Sequence, residues 1–232
     1  MKRTVLALIV LSMLALPAFA GDVKVSAFST FTSNYRGFSA KIVTPVVDGL
    51  ADKKAERALN DKLMERAFAL IAQYEEDVSN MLKTNPDEQG HMGLESNFIV
   101  KTNNHRTLAF DVYEFTAAGS SSTAHRLYVV DKQKGALITL KGLFKKDADY
   151  VAALSKYIKK EMERRNAQDG AMFWVKAGDM QPFKAIKPDQ NFFLSDAGGI
   201  VICFDKYEVA PGAQGSPEFE IPASAVKGIL AK

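Results

Sequence analysis

The chain has 232 residues, 47% of them hydrophobic and 25% charged, with a formal net charge of +3. So small a net charge gives no field for broad binding to nucleic acid or an anionic membrane. A single cysteine, Cys203, excludes an internal disulfide framework, so the fold rests on an ordinary apolar core, which this length supports as one large or two small domains.

Residues 1–20 read as an export signal. Lys2 and Arg3 give a positive start, Val5 to Leu16 an apolar run, and Ala18-Phe19-Ala20 a small-x-small cleavage site. The run is shorter than the roughly 20 residues that a membrane-crossing helix needs, and no cysteine follows it to take a lipid. The mature protein is therefore expected in the periplasm or secreted, cleaved near Ala20, with no stable membrane anchor. Loss of Lys2 and Arg3 takes the formal charge from +3 to +1. The remaining charge is uneven: residues 132–187 carry 13 Lys/Arg against 6 Asp/Glu, and residues 188–220 carry 1 against 6.

Residues 23–47 read as two extended runs, the second from 38 to 47. The clearest helix spans residues 51–83, where Leu59, Leu63, Ala67, Phe68, Leu70, Ile71, Tyr74, Val78 and Met81 recur at three- and four-residue steps. One apolar stripe against a charged face predicts a helix lying across a sheet. Asn85-Pro86-Asp87 and Gly90 end it. Residues 96–101 and 107–115 flank a turn at 102–105, with Leu108, Phe110 and Val112 alternating on one face. A second hairpin pairs 127–130 with 136–140 around Gly135. A second helix covers 148–168, with Val151, Leu154, Ile158 and Met162 as its apolar seam and Asp147 or Asp149 as its cap.

Residues 170–189 are irregular and carry Phe173 and Trp174, which serve either as core plugs or as a contact patch. Two apolar runs then flank Ser195-Asp196-Ala197-Gly198-Gly199, whose glycines suit a tight turn. The chain leaves through an extended corner at Tyr207-Glu208-Val209-Ala210-Pro211 into a last strand at 217–221 and a terminal turn. The sum is an α+β fold, a mostly antiparallel sheet packed by one long and one shorter amphipathic helix.

Chemistry is sparse. His91, His105 and His125 are the only histidines, and none pairs with a second ligand type at helical spacing, so neither a metal nor a cofactor is expected. His125 draws most attention. Ser120, Ser121 and Ser122 precede it, and Asp111 is placed to reach it across a strand, so a hydrolase built on His125, Ser122 and Asp111 is one reading. No Gly-x-Ser-x-Gly elbow supports it, and a structural role for the imidazole is the other reading. Paired carboxylates for glycoside chemistry would be Asp111 with Glu114 or Asp205 with Glu208. Tyr207 at the corner either anchors the chain through its hydroxyl or offers a stacking face. Cys203, within Val-Ile-Cys-Phe, reads as a buried small apolar side chain.

Several short segments together resemble the RsiV/PdaC-like family of extracytoplasmic domains. They are Tyr113-Glu114-Phe115, a Gly/Ser-rich loop, Ala124-His125, Val130-Asp131, Lys134-Gly135, the Leu140-Lys141-Gly142-Leu143-Phe144 knuckle, the 192–204 hairpin, the Tyr207 to Pro211 corner and Ile221-Pro222. The chain departs from the pattern at Ser122-Thr123, where a glycine pair is usual, at Arg126 after the histidine, and at Gly212 after the proline. The resemblance implies a companion region at 21–104 and an RsiV-like domain at 105–232. It further implies a non-catalytic envelope domain that binds or senses a lysozyme-like protein or peptidoglycan. Binding would centre on Tyr207, Glu208, Asp205 and His125, within the acidic 188–220 stretch. A hydrolase around His125 and a structural envelope protein remain the alternatives.

Overall fold

The computed structural model describes residues 23–231; the expected export signal, residues 1–20, lies outside the described residues. Among the described residues, two sheets and two long helices carry the fold. The larger sheet begins with β1 (Lys24–Tyr35) and β2 (Phe38–Asp48), an antiparallel pair closed by a turn at Arg36-Gly37. Next come α1 (Lys53–Thr84), β3 (Met92–Asn103), β4 (Thr107–Ala118), β5 (Ser120–Asp131) and the two-residue β6 (Ala136–Leu137). The order is sequential from β1 to β6, and only the β2–β3 pair is parallel. That exception follows from α1, which carries the chain back as a crossover between two parallel strands.

α1 starts where expected because Asp52 caps it, its carboxylate accepting from the Lys54 and Ala55 amides. Asn60 ties it to β2 by donating to the Val47 carbonyl and accepting from the Val47 amide, both at 2.8 Å. Its buried stripe is Leu59, Leu63, Ala67, Leu70, Tyr74 and Val78. Phe68 was expected in that stripe and instead stands 62% exposed. The steps of four and three that keep Leu59, Leu63, Ala67, Leu70, Tyr74 and Val78 aligned leave Phe68 beside them, facing solvent.

After α2 (Tyr150–Gln168), capped by Asp149, the small antiparallel sheet forms from β7 (Phe192–Leu194), β8 (Ile200–Cys203) and β9 (Glu218–Ile221), and the short α3 (Ala223–Val226) follows. β4 explains how the layers stack. Its residues 107–112 are all buried, which a strand achieves only when both faces are covered. Leu108, Phe110 and Val112 pack with Leu59 and Leu63 of α1. Ala109 on the other face joins Val129 in the core shared with α2 and the small sheet, whose centre holds Leu154, Ile158, Met162, Ile202 and Phe219. β4 and β5 are thus the middle of a three-layer arrangement.

The expected Gly/Ser-rich loop is a tight turn at Gly119 (φ +75°), and Ser120, Ser121 and Ser122 begin β5 opposite Ala118, Ala117 and Thr116. The break placed between residues 104 and 105 falls in the β3–β4 turn, within one continuous sheet.

Candidate functional site

The β4–β5 pairing sets Tyr113 opposite His125 and Asp111 opposite Leu127. Asp111 is therefore the diagonal neighbour of His125 on the same face, and that face is the one roofed by the small sheet and its loops. His125 Nδ1 lies 2.7 Å from Asp111 Oδ2, and Nε2 lies 3.0 Å from the hydroxyl oxygen of Ser216 in the loop ahead of β9. The His125 amide donates to Asp205 Oδ1 at 3.0 Å, and its carbonyl accepts from Asn191 Nδ2 at 2.8 Å. Four polar atoms of one residue thus hold four segments: β4, the approach to β7, the corner after β8, and the loop into β9.

The electrostatics follow from these contacts. The hydrogen bond to Asp111 raises the His125 pKa above its ordinary value against the opposing effect of burial, and the negative charges of Asp111 and Asp205 add to the rise. Burial likewise pushes the Asp205 carboxyl up, with Glu208 adding to it. Asp111 Oδ1 is buried and has no hydrogen-bond partner among the described residues.

Of the residues expected around His125, the structure brings Asp111 to its ring and places Ser122 away from it. Ser122 is three residues from His125 along a strand, so its side chain leaves from the opposite face, where Arg126 and Glu114 lie. Ser216 replaces it. Nothing in the sequence around Gly215-Ser216-Pro217 marks that serine, because the contact spans 91 positions. The alternative carboxylate pair, Asp111 with Glu114, is split by the same alternation. Glu114 faces α1 and accepts from both Arg66 and Arg126.

The corner after β8 is braced from inside. Glu208 accepts from the Asp205 amide at 2.9 Å and pairs with Lys187 at 2.7 Å. Asp205 and Glu208, expected as contact residues, are thus turned towards the protein, while Tyr207 between them is turned out. Tyr207 has φ +69° and is 52% exposed. Its hydroxyl donates to no described residue, so it is not the chain anchor; its ring lies against Gly212, where an added Cβ would sit 2.3 Å from the ring. Gly212 is therefore the space that the aromatic fills. The Lys206 ammonium lies 5.2 Å from the ring centroid and donates to the Ser121 carbonyl. Phe173 is buried against Phe219, a core plug, and Trp174 is half-buried beside it.

Other features lie apart. A cavity of about 580 Å³ sits at the far end of α1 between Phe38, Met81, Met92, Glu88 and His91. His105 is exposed in the β3–β4 turn. Cys203 is buried, which raises its thiol pKa. Among the described residues no group of three or more His, Cys, Asp or Glu side chains is placed to hold a metal ion, and no helix is long and apolar enough to cross a membrane.

Comparison with known proteins adds the following. A family model described as a protein of unknown function (DUF3298) matches residues 141–224. The chain is 32% identical over 220 residues to the anti-sigma-V factor RsiV of Bacillus subtilis (strain 168), covering 94% of this chain and 75% of that protein. It is 22% identical over 162 residues to the peptidoglycan-N-acetylmuramic acid deacetylase PdaC of the same organism, covering 69% of this chain and only 33% of PdaC. A DUF3298-family crystal structure from Bacteroides fragilis superposes with a TM-score of 0.66 at 14% identity, covering 92% of this chain and 95% of that one. A second, from Pseudomonas aeruginosa PAO1, gives 0.60 at 12%, covering 91% and 96%. These two establish a shared fold.

Proposed function

Because the chain belongs to the DUF3298 family of RsiV-like proteins, we propose that it is an extracytoplasmic binding and sensing module of the cell envelope, with a lysozyme-like protein or peptidoglycan as its ligand. The regulatory relative, matched over three quarters of its length, supports this reading more than the deacetylase, of which the matched part is a third. The expected export signal at residues 1–20 agrees with that location.

The observation that carries the contact surface is Tyr207. A non-glycine residue at φ +69° costs about 1–2 kcal/mol relative to ordinary backbone, and such strain collects where function holds it. Here it presents an aromatic ring to solvent, flanked by Lys206 and backed by Gly212. An aromatic face suits stacking on a sugar ring or filling a pocket on a protein partner. Asp205 and Glu208 contribute by holding the corner that carries it.

The test is a binding titration of the purified protein against a panel of lysozymes and purified peptidoglycan at low and moderate salt. Saturable binding at micromolar or lower concentration, weakened tenfold or more in Tyr207→Ala, is expected. Binding that Tyr207→Ala leaves unchanged would move the contact surface elsewhere, and no binding to any of them would overturn the choice of ligand.

A further inference from the structure

We propose that Asp111, His125 and Ser216 form an acyl-transfer site, with Ser216 as nucleophile, His125 as its general base and Asp111 as the residue that positions the ring. The substrate class is an acyl ester on a bulky or polymeric carrier. This inference is independent of the ligand proposed above.

The geometry is that of an activated serine. His125 Nδ1–H donates to Asp111 Oδ2 at 2.7 Å, which fixes the tautomer and leaves Nε2 as an acceptor, 3.0 Å from the Ser216 hydroxyl. Each ring nitrogen therefore faces the partner that base-assisted attack requires. Asp111 is rigidly placed, its side chain 3% exposed, while the His125 side chain is 20% exposed and Ser216 half-buried. The residue before the nucleophile, Gly215, adopts φ +69° and ψ −143°, a conformation open essentially to glycine alone, and this bend turns the serine towards β5. The Ser216 amide has no hydrogen-bond partner among the described residues, so it is free to donate to an oxyanion.

The His125 side chain is 20% exposed and Ser216 half-buried, so the reacting groups are reached from solvent while Asp111 lies beneath them. A site reached from solvent accepts an ester displayed on a large carrier. Tyr207 packs its ring against Gly212, four residues before Ser216 in the same connection.

The step balances without a cofactor. Ser216 Oγ bonds to the acyl carbon as its proton passes to His125 Nε2. The carbon–oxygen bond to the alcohol breaks, and the alcohol leaves with that proton. Water then repeats the sequence on the acyl-serine, releasing the acid and restoring the serine.

The experiment uses a fluorophosphonate probe, which phosphonylates an activated serine with loss of fluoride, together with p-nitrophenyl acetate as a generic ester. Labelling of the wild-type protein at Ser216, located by peptide mass, is expected. Ser216→Ala should lose that label and lower ester turnover by about a hundredfold or more, with an unchanged circular dichroism spectrum. His125→Gln should slow labelling at Ser216; if that variant fails to fold, the Ser216→Ala comparison decides. A wild-type protein left unlabelled, or labelled and turning over no faster than Ser216→Ala, overturns the proposal while leaving any lysozyme or peptidoglycan binding untouched.

Discussion

Asp111 and Glu114 stand three residues apart on β4 and point to opposite faces of the sheet, so that two buried carboxylates in one strand are neutralised by different neighbours. Asp111 meets His125 beneath the small sheet, and Glu114 meets Arg66 of α1 and Arg126 of β5. The strand period of two dictates this separation. It removes the pair from glycoside chemistry and gives each layer of the protein its own polar tie to the central strand.

The Glu114 tie is a stability element. Burial pushes its carboxyl pKa up, and the hydrogen bonds from Arg66 and Arg126 more than offset this, leaving it below its ordinary value of 4.5. Its contribution is thus present above pH 4.5 and is lost as pH falls through the lowered value. Glu114→Gln should destabilise the protein by about 1.5–3 kcal/mol, the range for hydrogen bonds to charged groups, with both arginines part-exposed and so able to recover water. Denaturant midpoints at pH 7 check this. A loss that persists undiminished in an Arg66→Met, Arg126→Met background would show that the network is not its source.

His125 gives the opposite pH signature. Its pKa is raised in the fold from an ordinary 6.5, so the stabilisation it provides is complete below pH 6.5 and fades as pH climbs through the raised value. Asp111 from β4, Asp205 from the corner and Lys101 from β3 are the charges that act on it. Thermal midpoints should therefore fall between pH 6 and pH 9 by more in the wild type than in His125→Gln. Equal slopes in the two proteins would mean that the imidazole does not titrate as its contacts require.

These ties also mark how far the sequence was legible. The α1 stripe, the Leu108-Phe110-Val112 alternation, the Asp149 cap and the Ser195–Gly199 turn are local patterns, and local patterns survive folding. Ser216 against His125 is a contact between a strand and a distant loop, with no periodicity to announce it. Tyr207 was left open between two roles for a related reason: whether a corner tyrosine turns in or out depends on Gly212, five residues on, whose missing side chain makes room for the ring. The resemblance put the serine run in a loop, and in this chain Ser120 to Ser122 instead pair across with Ala118 to Thr116 of β4.

Tyr207 carries a trade between stability and binding. Replacing it with glycine removes the side chain and relieves the left-handed backbone, so Tyr207→Gly should be more stable than Tyr207→Ala by about 1 kcal/mol. Both should lose the aromatic contact equally. Urea midpoints combined with the lysozyme and peptidoglycan titrations separate the two effects; equal stability of the two variants would mean that residue 207 leaves the left-handed region once its ring no longer packs on Gly212.

Cys203 provides a test of whether the small sheet opens by itself. It lies in β8, the central strand of that sheet, 5% exposed, with burial raising its thiol pKa. Only an opened strand exposes the thiolate that a disulfide reagent attacks. Four segments are joined at His125, and the core around Leu154 and Ile202 also takes in Ala109 and Val129 of the large sheet. The two sheets should therefore unfold together, with Cys203 reactivity and far-UV ellipticity changing at the same denaturant concentration. Thiol reactivity that appears first, with ellipticity still largely intact, would identify the β7–β9 sheet as a separate cooperative unit. Ser216→Ala, which removes one of the four ties, should move the two transitions no further apart than about the effect of one hydrogen bond, ~1 kcal/mol.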